Sequence, residues 1–343
     1  MKHRFFDDYS EGAHPRVLEL LASTNLAQQP GYGEDALSAR AVALVREAVG
    51  NPEAAVHFAS GGTQANLIAL ASMLRPHESV IAADTAHIHV HETGAVEATG
   101  HKINLVANRD GKLTADSVRD VVARHADEHM VVPKVVFVAQ ATESGTLYAK
   151  DELTALSRCC RELGLYLYLD GARLGPALTS RYADMSLADV SALVDMFYLG
   201  GTKNGALLGE AIVINTPELR DHFRYHLKQR GALLAKGRLL AAQFVALLED
   251  GLYFELARHA NAMAARLADG LRAHGARFAS EPVANQVFPV LPDAHVAALR
   301  QHYGFHVWTP SDGTRSTIRL VTSWATAPEA IDMFLEDFAA LSP

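Results

Sequence analysis

The chain has 343 residues, of which 49% are apolar and 20% charged, with a formal net charge of −8. This length predicts one large and one small domain rather than a single core, and the acidic balance, with no lysine/arginine run, excludes an electrostatic nucleic-acid footprint. The only cysteines are the adjacent Cys159 and Cys160, which leaves neither a disulfide framework nor a cysteine metal site. No apolar stretch approaches the ~20 residues that span a bilayer, and Met1–Asp8 turns acidic before a signal-peptide apolar region forms. The chain therefore reads as cytoplasmic, with no membrane partner.

Residues 1–35 read as irregular, apart from a short amphipathic piece near Arg16–Ala22, and end in Pro30-Gly-Tyr-Gly-Glu-Asp35. A helical pattern follows to Gly50, with Leu37, Ala41, Leu44, Val45 and Ala48 on one face. Strand-like and helical runs then alternate. Ala55–Ala59 precedes a glycine turn and a helix over about 63–74. Ser79–Ala83 leads into a histidine-rich segment, and Val135–Ala139 is followed by a helix over 151–163. Leu165–Leu169, Met196–Leu199 and Ala211–Ile214 are further strands. This alternation predicts an α/β domain with a mostly parallel, covered sheet. From Phe223 to His274 the pattern is two or three long helices. The remainder alternates short strands (Gln286–Val290, Thr317–Leu320) with helices at 293–302 and 327–340. The expected organisation is an N-terminal arm and large α/β domain over 1–245 and a small α+β domain over 246–343.

Ligands in such sheets sit at the carboxyl ends of the strands, and several chemistry-bearing residues fall there. Ser60-Gly-Gly-Thr-Gln-Ala-Asn66 joins a strand to a helix; its glycines let backbone amides approach an anion, and Thr63 adds a hydroxyl. Taken alone it is equally a capped helix start. Leu165–Leu169 stops on Asp170, and Met196–Leu199 runs through two glycines to Lys203. A carboxylate beside a pyridine nitrogen favours its protonated form, and a partly desolvated lysine attacks an aldehyde. These are the two groups a pyridoxal phosphate enzyme needs most, although in isolation the acid suits a helix cap and the lysine a solvated loop.

Arg173 is placed to meet a phosphate or carboxylate, or to form an ordinary surface ion pair. His87, His89 and His91 all face one way if the segment is extended, as in some metal-binding strands. If it enters a helix, His87 alone reaches a site, to stack on a ring and relay protons. Glu143, in Thr142-Glu-Ser-Gly145, offers a carboxylate at the same rim or an acid at a helix start. Arg319 lies within a small-domain strand, where it clamps a substrate carboxylate or extends to solvent.

Together these segments resemble the fold-type I pyridoxal phosphate enzymes, and more closely the threonine aldolase and β-eliminating lyase family, including its phenylserine aldolase-like branch. The resemblance runs nearly end to end. It is carried by Asp8-Tyr-Ser10, Gly31-Tyr-Gly-Glu-Asp35, Gly61-Gly-Thr-Gln-Ala-Asn-Leu67, Ala86-His87 with Glu92-Thr-Gly-Ala95, Leu169-Asp-Gly-Ala-Arg-Leu174, Lys203 and Ile318-Arg-Leu-Val-Thr322.

The resemblance implies pyridoxal 5′-phosphate as cofactor, with Gly62 and Thr63 at its phosphate, His87 stacked on the ring, Asp170 at the ring nitrogen, Arg173 beside the 3′-oxygen and Lys203 as the covalent anchor. Ser10 and Arg319 would hold the carboxylate of a small amino-acid substrate. The implied reaction is retro-aldol cleavage of a β-hydroxy-α-amino acid, with Lys203, His87 and Glu143 as catalytic candidates and no metal. The implied assembly is a dimer of dimers with shared active sites, residues within 228–238 reaching the neighbour's phosphate. The alternatives are another reaction of the same cofactor, such as β-elimination, or a histidine-cluster metal hydrolase. Two departures stand out. Glu143 occupies a place where many threonine aldolases carry histidine, and Thr202 precedes the lysine where serine is usual.

Overall fold

The computed structural model describes residues 1–108 and 110–341. Arg109, and Ser342 and Pro343 at the end of the expected small domain, lie outside them. Among the described residues the large sheet has seven strands. Their spatial order is Ala55–Ala59, Glu210–Ile214, Met196–Gly200, Tyr166–Asp170, Val132–Ala139, Glu78–Ala83 and Lys102–Val106. Glu210–Ile214 runs antiparallel to both neighbours, while the pairings from Met196–Gly200 to Lys102–Val106 are parallel. Every residue of Glu78–Ala83, Met196–Gly200 and Glu210–Ile214 is buried. Strands covered on both faces read as unbroken apolar runs, which is why they were legible without alternation.

Lys102–Val106 was not predicted. It is an edge strand, paired on one side only, with Asn104 its one buried residue, so its Lys-Ile-Asn-Leu-Val sequence lacks the apolar run. The helix Ala115–Arg124 that follows also went unpredicted; its start is fixed by a Thr114–Ser117 capping box.

The other helices follow from local chemistry. Asp35 caps Ala36–Ala48 by accepting from the Ser38 amide at 2.9 Å, a contact worth about 1 kcal/mol. Gly62–Met73 is apolar around most of its circumference and is correspondingly buried, through Ala65, Ile68, Ala69, Leu70 and Met73. The segment from Phe223 resolves into three helices, Phe223–Gln229, Arg238–Leu248 and Leu252–Ala273.

A second apolar core is separate from the first. It gathers Leu267 and Leu271 from the long helix, Val287, Ile318 and Leu320 from strands, Phe305 from the link between Tyr303–Gly304 and His306–Thr309, Ile331 and Phe334 from the helix Pro328–Ala339, and Phe5 from the N-terminal arm. Its central strand, Arg315–Val321, pairs antiparallel with Gln286–Val287, Pro289–Pro292 and His306–Thr309. The arm forms a short strand, His3–Arg4, parallel to Tyr303–Gly304, and then a helix, Pro15–Thr24. No helix among the described residues is long and apolar enough to cross a membrane.

Candidate active site

Five strands of the large sheet end on the same rim, at Ser60–Thr63, Asp84–His87, Gln140–Gly145, Asp170–Arg173 and Gly200–Lys203. A cleft of about 710 Å³ opens there, lined by Tyr9, His87, Glu143, Arg173, Lys203, Trp308 and Arg319 among others. Arm, large sheet and second core all contribute to it.

Asp170 and Lys203 come from neighbouring parallel strands, and Gly171 permits their approach. A Cβ on Gly171 would lie 1.8 Å from the Tyr198 carbonyl oxygen, so only glycine lets the two strand ends close. The Asp170 carboxylate is buried and fully engaged. Its Oδ1 accepts from the Tyr198 hydroxyl at 2.5 Å and the Ala172 amide at 3.0 Å; its Oδ2 accepts from Asn66 Nδ2 at 2.9 Å. Burial lowers the Lys203 amine below its ordinary value, and the Arg173 charge adds to this against the opposing pull of Asp8, Glu143 and Asp170.

His87 opens a single helical turn, His87–Val90, so the extended arrangement of three histidines facing one way does not occur. His89 is exposed, and His91 packs on His87 at 5.4 Å between ring centroids. Nδ1 of His87 lies 2.7 Å from Oε1 of the buried Glu92. Burial pulls the imidazole down, but the bond to Glu92 and the charges of Asp170, Glu143 and Glu92 outweigh it and hold the ring above its ordinary value.

Arg173 is a buried ion-pair partner rather than a surface one. Its Nε and Nη2 donate to the two oxygens of Asp8 at 2.8 and 3.1 Å, and Asn285 donates to the same carboxylate at 2.9 Å. Arg319 reaches the cleft from its strand with the guanidinium 4.9 Å from the Trp308 ring centre and one bond to the Phe6 carbonyl. Among the described residues its Nε is buried without a partner, a donor left free beside the cleft. Glu143 sits in the turn closing Val132–Ala139. Gly145 turns the chain there at φ 76°, with the Phe288 ring filling the space a side chain would need.

Of the expected residues, Ser10, Gly62, Thr63 and the buried Asp170 do not line the cleft. Ser10 is exposed and donates to Asp7. Thr63 is exposed at the start of the helix Gly62–Met73, whose first turn no side chain caps. A Cβ on Gly62 would lie 2.9 Å from the Tyr198 hydroxyl, which places this uncapped helix end beside the Asp170 cluster.

Sequence reading missed the supporting residues. Asn66 and Glu92 lay within quoted motifs without a role, Asp8 stood two residues from the named Ser10, Tyr198 lay unremarked inside a predicted strand, and Trp308 was not singled out. Glu210 was missed entirely. It is buried, accepts from the Gly201 amide at 2.9 Å, and burial raises it to about 7 against the bonds from Thr202 and Gly201.

These residues fit pyridoxal 5′-phosphate. A buried, doubly supported carboxylate suits a pyridinium nitrogen, a desolvated lysine suits the aldehyde, and uncapped amides at a glycine-rich helix start suit a phosphate. Among the described residues no group of three or more histidine, cysteine or acidic side chains is arranged to hold a metal ion.

Comparison with known proteins agrees. Residues 13–294 match the family model for β-eliminating lyases. The chain is 37% identical over 340 residues to the low specificity L-threonine aldolase of Pseudomonas aeruginosa, covering 97% of this chain and 96% of that protein. It superposes on a solved structure of Leishmania major threonine aldolase with a TM-score of 0.98 at 46% identity, covering 99% of this chain and 100% of the other. Thermus thermophilus aspartate aminotransferase, at 17% identity and a TM-score of 0.72 over 99% of this chain and 91% of its own, shares the fold-type I architecture.

Proposed function

Because the chain belongs to the β-eliminating lyase family and is a pyridoxal 5′-phosphate-dependent carbon–carbon lyase, we propose that it cleaves a β-hydroxy-α-amino acid to glycine and an aldehyde. Threonine, allo-threonine and phenylserine define the substrate type. The observation that carries this reading is the cleft itself, where a desolvated Lys203 and His87 share one space with Arg319, whose Nε is buried and unpaired.

Asp170, held by Tyr198 and Asn66, would pair with the ring nitrogen, and Gly62 and Thr63 would hold the phosphate. Arg173, held by Asp8, would sit beside the 3′-oxygen. When bound, the cofactor supplies an electron sink for the pair released as the Cα–Cβ bond breaks. Lys203, its charge disfavoured by burial, serves as the covalent anchor. Arg319 offers Nε and a planar fork to the substrate carboxylate, with Trp308 stacked behind it to fix its plane. Ser10 joins that clamp only if its hydroxyl turns from Asp7. His87 accepts the β-hydroxyl proton at Nε2, directly or through one water; Glu143 is the second candidate at the same rim.

The division at 245/246, and a dimer of dimers in which residues within 228–238 reach the neighbouring site, belong to the same reading. Tyr225 is 74% exposed and Tyr32 43% exposed beside Lys228, an apolar surface that a second copy would cover.

The test is product analysis. Incubation of the holoenzyme with threonine, allo-threonine and phenylserine isomers yields glycine and the matching aldehyde in equal amounts. Release of ammonia and a keto acid instead would make the enzyme a β-eliminating lyase in activity as well as family.

A further inference from the structure

We propose that Glu92 is a positioning residue for His87: it holds the ring proton on Nδ1 and leaves Nε2 as the nitrogen that faces the cleft. The proposal rests on His87 being the group that handles the substrate proton, and its evidence is geometric. Oε1 of Glu92 lies 2.7 Å from His87 Nδ1 and 2.8 Å from Asn66 Nδ2, so one oxygen meets two nitrogens. A carboxylate oxygen only accepts, hence both nitrogens donate and the Nδ1 tautomer is set. The other oxygen, Oε2, is buried with no partner among the described residues. A proton there would be a buried donor with nothing to receive it, so the acid's charge is balanced by what Oε1 touches.

Asn66 extends the unit. Its Nδ2 also donates to Asp170 Oδ2, and its Oδ1 accepts from the Tyr168 hydroxyl at 3.0 Å. One buried amide thus fastens the carboxylate behind His87 to the carboxylate at the ring nitrogen. A displaced Glu92 would release both His87 and one of the bonds that aim Asp170. The titratable groups facing His87 are Glu92, Asp170, Glu143 and His91; those facing Glu92 are His87 and Tyr168.

The experiment follows deuterium exchange at the imidazole C2 of His87 in the holoenzyme, peptide by peptide, by mass spectrometry across pH. Fragmentation separates His87 from His89 and His91. No substrate is present, so the outcome is independent of whether glycine is released in the product assay. The wild-type ring titrates above the ordinary histidine value of about 6.5. Glu92→Gln keeps an acceptor oxygen and loses the charge, and its midpoint falls by about 1–3 pH units; the acid limb of kcat moves with it. Glu92→Asp keeps the charge at shorter reach, and its midpoint stays above that of Glu92→Gln. An unchanged midpoint in Glu92→Gln overturns the proposal. So does a wild-type midpoint at or below 6.5, a result that requires no variant to fold.

Discussion

Replacing Asp8 with asparagine tests the buried pair that ties the N-terminal arm to the cleft. The substitution keeps the shape and one acceptor oxygen, but removes the carboxylate bonded to Arg173. Both partners are almost fully buried, with side-chain exposures of 6% for Arg173 and 0% for Asp8. Stranding one member of such a pair costs about 3–5 kcal/mol. Asn285 would then face an amide, and Lys203 would lose an opposing charge. Glu143 still faces Arg173, which favours the lower end, about 3 kcal/mol. With an unfolding entropy of roughly 2.1 cal/mol/K per residue, this corresponds to a fall in Tm of about 4 °C. Denaturant melts of wild type, Asp8→Asn, Arg173→Met and the double variant form the assay. The double variant strands no charge and should be more stable than Asp8→Asn. The effect also has a pH signature. Burial alone would raise the Asp8 carboxyl, but the charges of Arg173 and Lys203 and the bonds from Arg173 and Asn285 hold it below its ordinary 3.8. Its contribution is therefore present above that value and lost as pH falls through the folded-state value, so the wild-type and variant curves converge in acid. A difference below about 0.5 kcal/mol at neutral pH, or losses that simply add in the double variant, would refute the reasoning.

Three other substitutions probe different parts of the molecule. Gly171→Ala forces a methyl onto the Tyr198 carbonyl and should yield insoluble or cofactor-free protein; a soluble, yellow preparation would contradict the close approach of the two strand ends. Glu210 is an acid raised to about 7 from an ordinary 4.5, so its contribution to stability is full below the lower value and lost as pH rises through the higher one. Glu210→Gln should then lose less stability than wild type between pH 5.5 and 8 in urea melts, and parallel slopes would count against the assignment. Arg319→Lys keeps the charge but loses the planar fork and Nε, so KM for the amino acid should rise about tenfold or more while cofactor affinity holds; equal losses in both would move Arg319 from the substrate to the scaffold.

The sequence displayed the rim of the site better than its supports. Asp170 and Lys203 stood out because each ends an apolar run with a charge beside glycine, and covered parallel strands leave such breaks visible. Lys102–Val106 stayed hidden because it is short, mostly unburied and carries Lys102 and Asn104 in place of an apolar run. Asn66, Tyr198 and Glu92 carry no local signal either, since a polar residue inside a helix or strand acquires its role only when another element brings its partner. His87 shows the same limit: the spacing of three histidines suited both an extended strand and a helical turn, and the fold chose the turn. Arg173 stayed open between an anion of the site and a surface ion pair because its partner, Asp8, lies 165 positions away.

The arm that supplies Asp8 also sets an order of assembly. His3 pairs with Tyr303, and the Phe5 carbonyl accepts from the Val321 amide. On a ribosome the arm emerges some 300 residues ahead of the strand it must join. Closing a loop of that length costs about 5 kcal/mol beyond a length-independent constant. The large sheet can complete itself on the nascent chain, whereas the wall of the cleft that holds Tyr9 and Asp8 has to wait for Tyr303–Gly304 and Arg315–Val321. Until they arrive the arm is an unclaimed strand with an apolar Phe5, open to capture by a chaperone or by another nascent copy.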